Sequence, residues 1–286
     1  FLISAIIAVS FVTAISIVNA HPNDDANKRE HGVDTAINPG DSLFPRAWSS
    51  SNGFYTTLIG AGWTPRFRWI GPACWEEDYK YRTGLLGGTD YYNGPPNNFP
   101  WYCKDAVDFA YYVGHGSPWV ITFPCGSRVD FPTFQFTNPN RNARWGGTEG
   151  GQAGEEADLE WMALESCNTL QWSAGGQNVF QRWWQAFQGL HYVLGFHTSA
   201  WATWNLGRLF AQRLTWGWTV RRAWIAATII AQPGCVYAAY LRGGNLPWLG
   251  PTDTFWDRIP PWWVAPDPHN PVTNRPDFLA YLNWKC

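Results

Sequence analysis

The chain has 286 residues, a formal net charge of -2, and 15% charged residues against 17% aromatic ones. That length supports one sizeable core, or a core with elaborations, and the near-neutral charge leaves no electrostatic footprint for nucleic acid or an acidic membrane surface. The 21 tryptophans serve either aromatic-rich packing or a groove or subunit contact.

Phe1–Ala20 is an almost uninterrupted apolar stretch ending Ile17-Val18-Asn19-Ala20 before His21-Pro22. Small or apolar residues at its last and third-last places suit cleavage after Ala20. It reads as a signal peptide, with a retained membrane anchor as the rival. Both place the chain outside the cytoplasm, secreted or anchored with an extracytoplasmic domain, and a membrane is a partner only if residues 1–20 are retained. Residues 21–52 read as a propeptide or linker, with Lys28-Arg29 resembling a dibasic processing site, followed by a surface wrap rich in Gly, Pro, Asn, Asp and Ser. Ser49-Ser50-Ser51-Asn52 are placed to cap a helix from Gly53, with Phe54, Leu58 and Ile59 on its inner face. Phe67–Ile70 reads as a short strand, and the Gly84–Gly94 segment as a loop.

Phe109–Val113 and Trp161–Leu164 are short apolar runs bounded by polar residues or glycine, the pattern of buried strands. The first is followed by Gly114-His115-Gly116, the second by Glu165-Ser166-Cys167. If both strands are parallel, His115 and Cys167 emerge at one carboxyl edge, where α/β sheets bind ligands. Between them lies a polar insertion with a possible strand at Val129–Phe136 and a glycine-rich rim at Gly146–Gly151. Asn178–Phe187 has helical apolar spacing, Leu190–Phe196 reads as the next strand, and Leu206–Leu214 and Thr219–Ile230 as a helix pair broken at Gly217. Cys235–Leu241 is a strand or a helix end. Beyond Gly243, proline and tryptophan dominate a tail that packs on the domain, with Phe278–Leu282 as its last turn. The strand–helix alternation is the βαβ signal of a mostly parallel sheet.

A thiol and an imidazole within reach suffice for nucleophilic catalysis. Cys167 is the candidate nucleophile and His115 the candidate base, with the N–H groups of Gly116 and Cys167 as an oxyanion hole. Glu165 shares the sheet face of Cys167 and is available either for a basic substrate group or for a salt bridge in the wall. Asp108 is a candidate for orienting His115, and His197 competes for the role of base or is a hydrogen-bonded rim histidine. A zinc site of His115, Cys167 and His197 lacks close paired spacing, so neither a metal nor another cofactor is expected. The implied partner is a peptide or other amide-containing substrate.

The pair Val113-Gly114-His115-Gly116 and Leu164-Glu165-Ser166-Cys167 resembles the caspase, legumain and gingipain group, the clan CD type of cysteine peptidase. There a His-Gly motif follows one strand and the nucleophilic cysteine ends the next; legumain-like enzymes carry Glu-Ala-Cys where this chain has Glu165-Ser166-Cys167. It is also similar to a group of secreted bacterial and fungal proteins with the same two motifs. The resemblance implies a three-layer caspase-like α/β domain over residues 53–242, with residues 243–286 as an extended Pro/Trp-rich tail. It implies a peptidase or transpeptidase, with a silent recognition or structural protein as the alternative. The five cysteines besides Cys167, namely Cys74, Cys103, Cys125, Cys235 and Cys286, fit two disulfides and one spare thiol in an oxidising compartment. Cys286 is the first candidate for pairing.

Overall fold

The computed structural model describes residues 29–74, 79, 107–124, 128–130, 145, 147–148, 156–157, 159–187, 189–244, 258 and 276–286. The signal or anchor stretch 1–20, Lys28, the Gly84–Gly94 loop, Cys103, Cys125, most of the glycine-rich rim and the Pro/Trp-rich stretch through Pro260–Trp263 lie outside them. Among the described residues no helix is long and apolar enough to cross a membrane.

Seven strands form the central sheet: β1 (Glu30–Ala36), β2 (Thr64–Ile70), β3 (Phe109–Gly114), β4 (Trp161–Glu165), β5 (Tyr192–Phe196), β6 (Tyr237–Gly244) and β7 (Phe278–Lys285). Their order is β7-β6-β5-β4-β3-β1-β2. The five from β5 to β2 run parallel, and β6 and β7 join antiparallel at one edge. This is a mixed α/β domain with a mostly parallel sheet. Alternation along each strand feeds two cores. Phe109, Tyr111, Trp161, Ala163, Tyr192 and Leu194 face α1 (Phe44–Gly60), α3 (Leu206–Thr215) and α4 (Val220–Ala231). Ala110, Tyr112, Met162, Leu164 and Val193 face the other way, toward α2 (Val179–Trp183).

The expected strands at Phe109–Val113, Trp161–Leu164 and Leu190–Phe196 form as parallel neighbours. The helix pair forms too, with Gly217 at φ 77° between its members. Asn178 caps α2 reciprocally with Gln181, which fixes its start.

Four expectations are corrected. Residues 30–36, read as surface wrap, are a fully buried strand between β2 and β3. Their polar side chains find partners across the fold: Glu30 pairs with Arg66, Asp34 accepts from the Tyr79 hydroxyl, and the Thr35 and Ser51 hydroxyls meet at 2.6 Å. Helix α1 starts at Phe44, not Gly53, with Pro45 in its first turn; the serines lie inside the helix because their hydroxyls have tertiary partners. Residues 278–285 are a strand paired to β6 along its whole length, not a helical turn. Finally, Cys286 is a free thiol, as are Cys167 and Cys235; pairing with β6 and the bond from Cys286 N–H to the Val236 carbonyl at 2.9 Å hold residues 278–286 in place of a disulfide.

Candidate active site

Strands β3 and β4 pair in a register that sets Val113 opposite Glu165. His115 follows the end of β3 by one residue and Cys167 the end of β4 by two, which brings both to the carboxyl edge. After His115 the chain doubles back: Thr122 N–H donates to the His115 carbonyl at 3.1 Å and Ser117 N–H to the Val120 carbonyl at 2.9 Å. The Tyr112 hydroxyl, from within β3, also reaches the His115 carbonyl at 3.1 Å. The backbone of His115 is therefore fixed while its imidazole is exposed to solvent.

Cys167 sits on a sharp turn. Asn168 has φ 56°, a left-handed conformation that asparagine tolerates better than most side chains. The turn is tied to the loop after β5 by Asn168 N–H donating to the Thr198 carbonyl at 3.0 Å and Leu170 N–H to the Phe196 carbonyl at 2.9 Å. The Cys167 thiol is half-buried and lies 3.5 Å from the Ala200 carbonyl. A β-carbon on Gly116 would lie 2.1 Å from the Ser166 Oγ, so a side chain there would force that hydroxyl to rotate away. Among the described residues the N–H groups of Gly116 and Cys167 have no partner within the chain, and no hydrogen bond joins the His115 and Cys167 side chains.

The two loops border a cleft open to solvent, with His115, Glu165, Ser166 and Cys167 on its wall. Arg182, buried in α2, braces both loops, donating to the Pro118 carbonyl at 3.0 Å, to the Gln177 carbonyl at 2.9 Å and to the Gln171 carbonyl. Burial brings its guanidinium down to about 10.

Glu165 is the most deeply placed of the expected site residues. Its Oε2 accepts from Ser50 Oγ at 2.5 Å and Tyr111 OH at 2.8 Å; its Oε1 accepts from Thr203 N–H at 3.3 Å and Thr203 Oγ1 at 3.2 Å. Burial raises its pKa to about 7, against the pull of these donors. The salt bridge expected in the wall is replaced by neutral donors from α1, β3 and the loop after β5. Sequence reading missed Ser50, Tyr111 and Thr203 as site residues, because they converge only in three dimensions.

Asp108 cannot orient His115. It precedes β3 at the amino edge, roughly 20 Å from the carboxyl edge at about 3.3 Å per residue, and its carboxylate accepts the Glu30 N–H instead. His197 lies beyond β5 with its Nδ1 accepting the Trp172 N–H at 3.0 Å and meeting the Tyr281 hydroxyl at 2.9 Å. That fixes the ring in a rim position, and burial lowers its pKa. Among the described residues no three His, Cys, Asp or Glu gather as a metal ion would need.

These features define a mixed α/β domain in which His115 and Cys167 follow two neighbouring strands at the carboxyl edge of a mostly parallel sheet. The chain belongs to the family described as "Domain of unknown function (DUF6345)", whose model matches residues 41–274. No curated protein matches it. Among solved structures it is similar to a secreted C11 cysteine protease from Bacteroides thetaiotaomicron, in complex with an irreversible peptide inhibitor. That likeness is at 11% identity and a TM-score of 0.35, over 76% of this chain and 66% of that one, just under two thirds of the protease's length. At that score the likeness says nothing about the chemistry of this chain.

Proposed function

We propose that this protein is a caspase-like cysteine hydrolase or acyl transferase acting on amide bonds, with Cys167 as nucleophile and His115 as general base. The observation that carries it is that the two residues follow the ends of neighbouring parallel strands and border one cleft. The unengaged N–H groups of Gly116 and Cys167 supply donors for an oxyanion. His115 takes the thiol proton as sulfur attacks the carbonyl carbon. The C–N bond breaks, the amine leaves with that proton, and water or a second amine resolves the thioester. The sequence stretch 1–20, read as a signal or anchor, puts this activity outside the cytoplasm.

A second reading is favoured by the side-chain arrangement: the thiol is turned to the Ala200 carbonyl and the imidazole stands free in solvent, as in a silent recognition module. Peptide-library cleavage by wild type, Cys167→Ala, His115→Ala and His197→Ala separates the two. The enzyme reading expects no turnover without Cys167 and at least about a 10²-fold loss without His115. The double variant should be no worse than Cys167→Ala, and His197→Ala should stay within a few-fold of wild type. A folded wild type that cleaves nothing and whose Cys167 resists alkylation leaves the silent module standing.

A further inference from the structure

The loop after β5 is held more firmly than a connection requires. Gln232, buried just beyond α4, grips Trp201 twice: its Oε1 accepts the Trp201 N–H at 3.0 Å and its Nε2 donates to the Trp201 carbonyl at 2.9 Å. Thr203 gives both its donors to Glu165, and Ser49 Oγ donates to the Trp204 carbonyl at 2.9 Å. The backbone is thus pinned at three of four successive residues, yet Trp201 and Trp204 are each 57% exposed. Large indoles left in water on a rigid loop are the pattern of a preorganised binding surface. Trp201 borders the Cys167 cleft between Ala200 and Ala202, and Leu43, Ala47 and Val113 supply more of its apolar wall.

Charge narrows the occupant. Among the described residues Glu165 is the one carboxylate on that wall. A carboxylate offers about four lone-pair sites, and the donors of Ser50, Tyr111 and Thr203 take all of them. A lysine or arginine could reach it only by displacing one of these donors and leaving a buried hydroxyl or N–H unpaired. An acidic group would meet the same wall with no lysine or arginine bordering the cleft among the described residues.

We infer that the cleft selects an aromatic or large aliphatic side chain on the residue whose carbonyl Cys167 attacks, with Trp201 as its specificity-determining contact. This rests on the acyl-transfer reading and names its substrate class: peptides cleaved or transferred after a bulky apolar residue, and not after a basic or acidic one.

The test uses N-acetyl-Ala-Ala-Xaa acyloxymethyl ketones in which Xaa is Phe, Leu, Arg or Asp. Labelling forms one C–S bond at Cys167 and expels the carboxylate by breaking one C–O bond, and intact-mass spectrometry follows its rate on the full chain. Phe and Leu probes should label at least about tenfold faster than Arg and Asp probes, the scale on which apolar pockets discriminate. Trp201→Ala should erase most of that ratio, and Trp201→Phe should retain part of it. Equal rates, or Arg fastest, overturn the inference. Calorimetry of the matching N-acetyl-Ala-Ala-Xaa amides on Cys167→Ala makes failure of the chemistry separable. Preferential binding of Phe and Leu amides upholds the pocket assignment even if wild-type Cys167 is inert, which would sink the acyl-transfer reading alone. Absence of any preference there overturns the pocket assignment.

Discussion

Inside the fold Glu165 titrates at about 7, whereas its ordinary value is 4.5, so between those values the folded chain keeps a proton that the unfolded chain has released. Its contribution to stability is complete below 4.5 and is lost as pH rises through 7, an effect of roughly 3 kcal/mol at about 1.4 kcal/mol per unit. His31, buried against the Tyr55 carbonyl at 3.1 Å, has the opposite sign. Burial lowers it from 6.5 to about 4, so the unfolded state binds the extra proton and stability falls as pH drops from 6.5 through 4. The two slopes oppose one another across the mildly acidic range. Glu165→Gln, which mimics the protonated acid, should remove one of them. Urea unfolding at pH 5 and pH 7.5 should show the variant gaining roughly 2 kcal/mol on wild type between the two; a gap that does not move with pH would refute the assignment. Glu165 stood out in the sequence because residues two apart share a face of a strand. Its donors did not, since Ser50, Tyr111 and Thr203 belong to three segments and no local spacing links them.

Helices α1 and α3 approach so closely that glycine is needed on both. A β-carbon on Gly207 would lie 2.3 Å from the Ser50 carbonyl oxygen, and one on Gly53 would lie 2.7 Å from the Arg208 Cβ. The obstruction at Gly207 is backbone, which cannot rotate away, and the Gly207 N–H also donates to Ser50 Oγ at 2.9 Å. Gly207→Ala should therefore cost about 1–3 kcal/mol through forced displacement of the helices. Gly60→Ala, at the end of α1 with nothing within 4 Å of the added carbon, should be neutral or stabilise by up to about 1 kcal/mol. Thermal unfolding of both variants distinguishes a packing constraint at Gly207 from a general preference for glycine. At this scale α3 and α4 were legible because their apolar spacing is regular and a glycine breaks them apart. The start of α1 was not, because its serine tract looks like a cap until Thr35 and Glu165 are found across from it. Strand β1 was hidden by the same cause, since polar residues satisfied by distant partners leave no apolar run.

For the molecule as a whole, the antiparallel edge is attached by more than its ladder. From β7, Trp284 Nε1 donates to Thr228 Oγ1 at 3.1 Å, and the Tyr281 hydroxyl reaches the Leu170 carbonyl at 3.0 Å beside the turn that carries Cys167. Removal of residues 277–286 should lower stability by at least about 2 kcal/mol, roughly 5 °C in Tm, and should raise light scattering as β6 presents an unpaired edge. A truncated protein that stays monodisperse with an unchanged Tm would contradict this. The mostly parallel sheet was readable in outline from strands alternating with helices, while the edge strand was not, because Phe278–Leu282 is too short a run to tell strand from helix without its partner. The strand order has one more effect, which belongs to synthesis. After β1 and β2, every later strand is added on the same side in the order in which it is made. Every residue of the cleft wall has been made once Ala202 has, and the brace on Trp201 once Gln232 has, before β6 or β7 exists; only the Tyr281 support comes later. A chain made only that far leaves the β5 edge unpaired, and β6 and β7 are the strands that cover it.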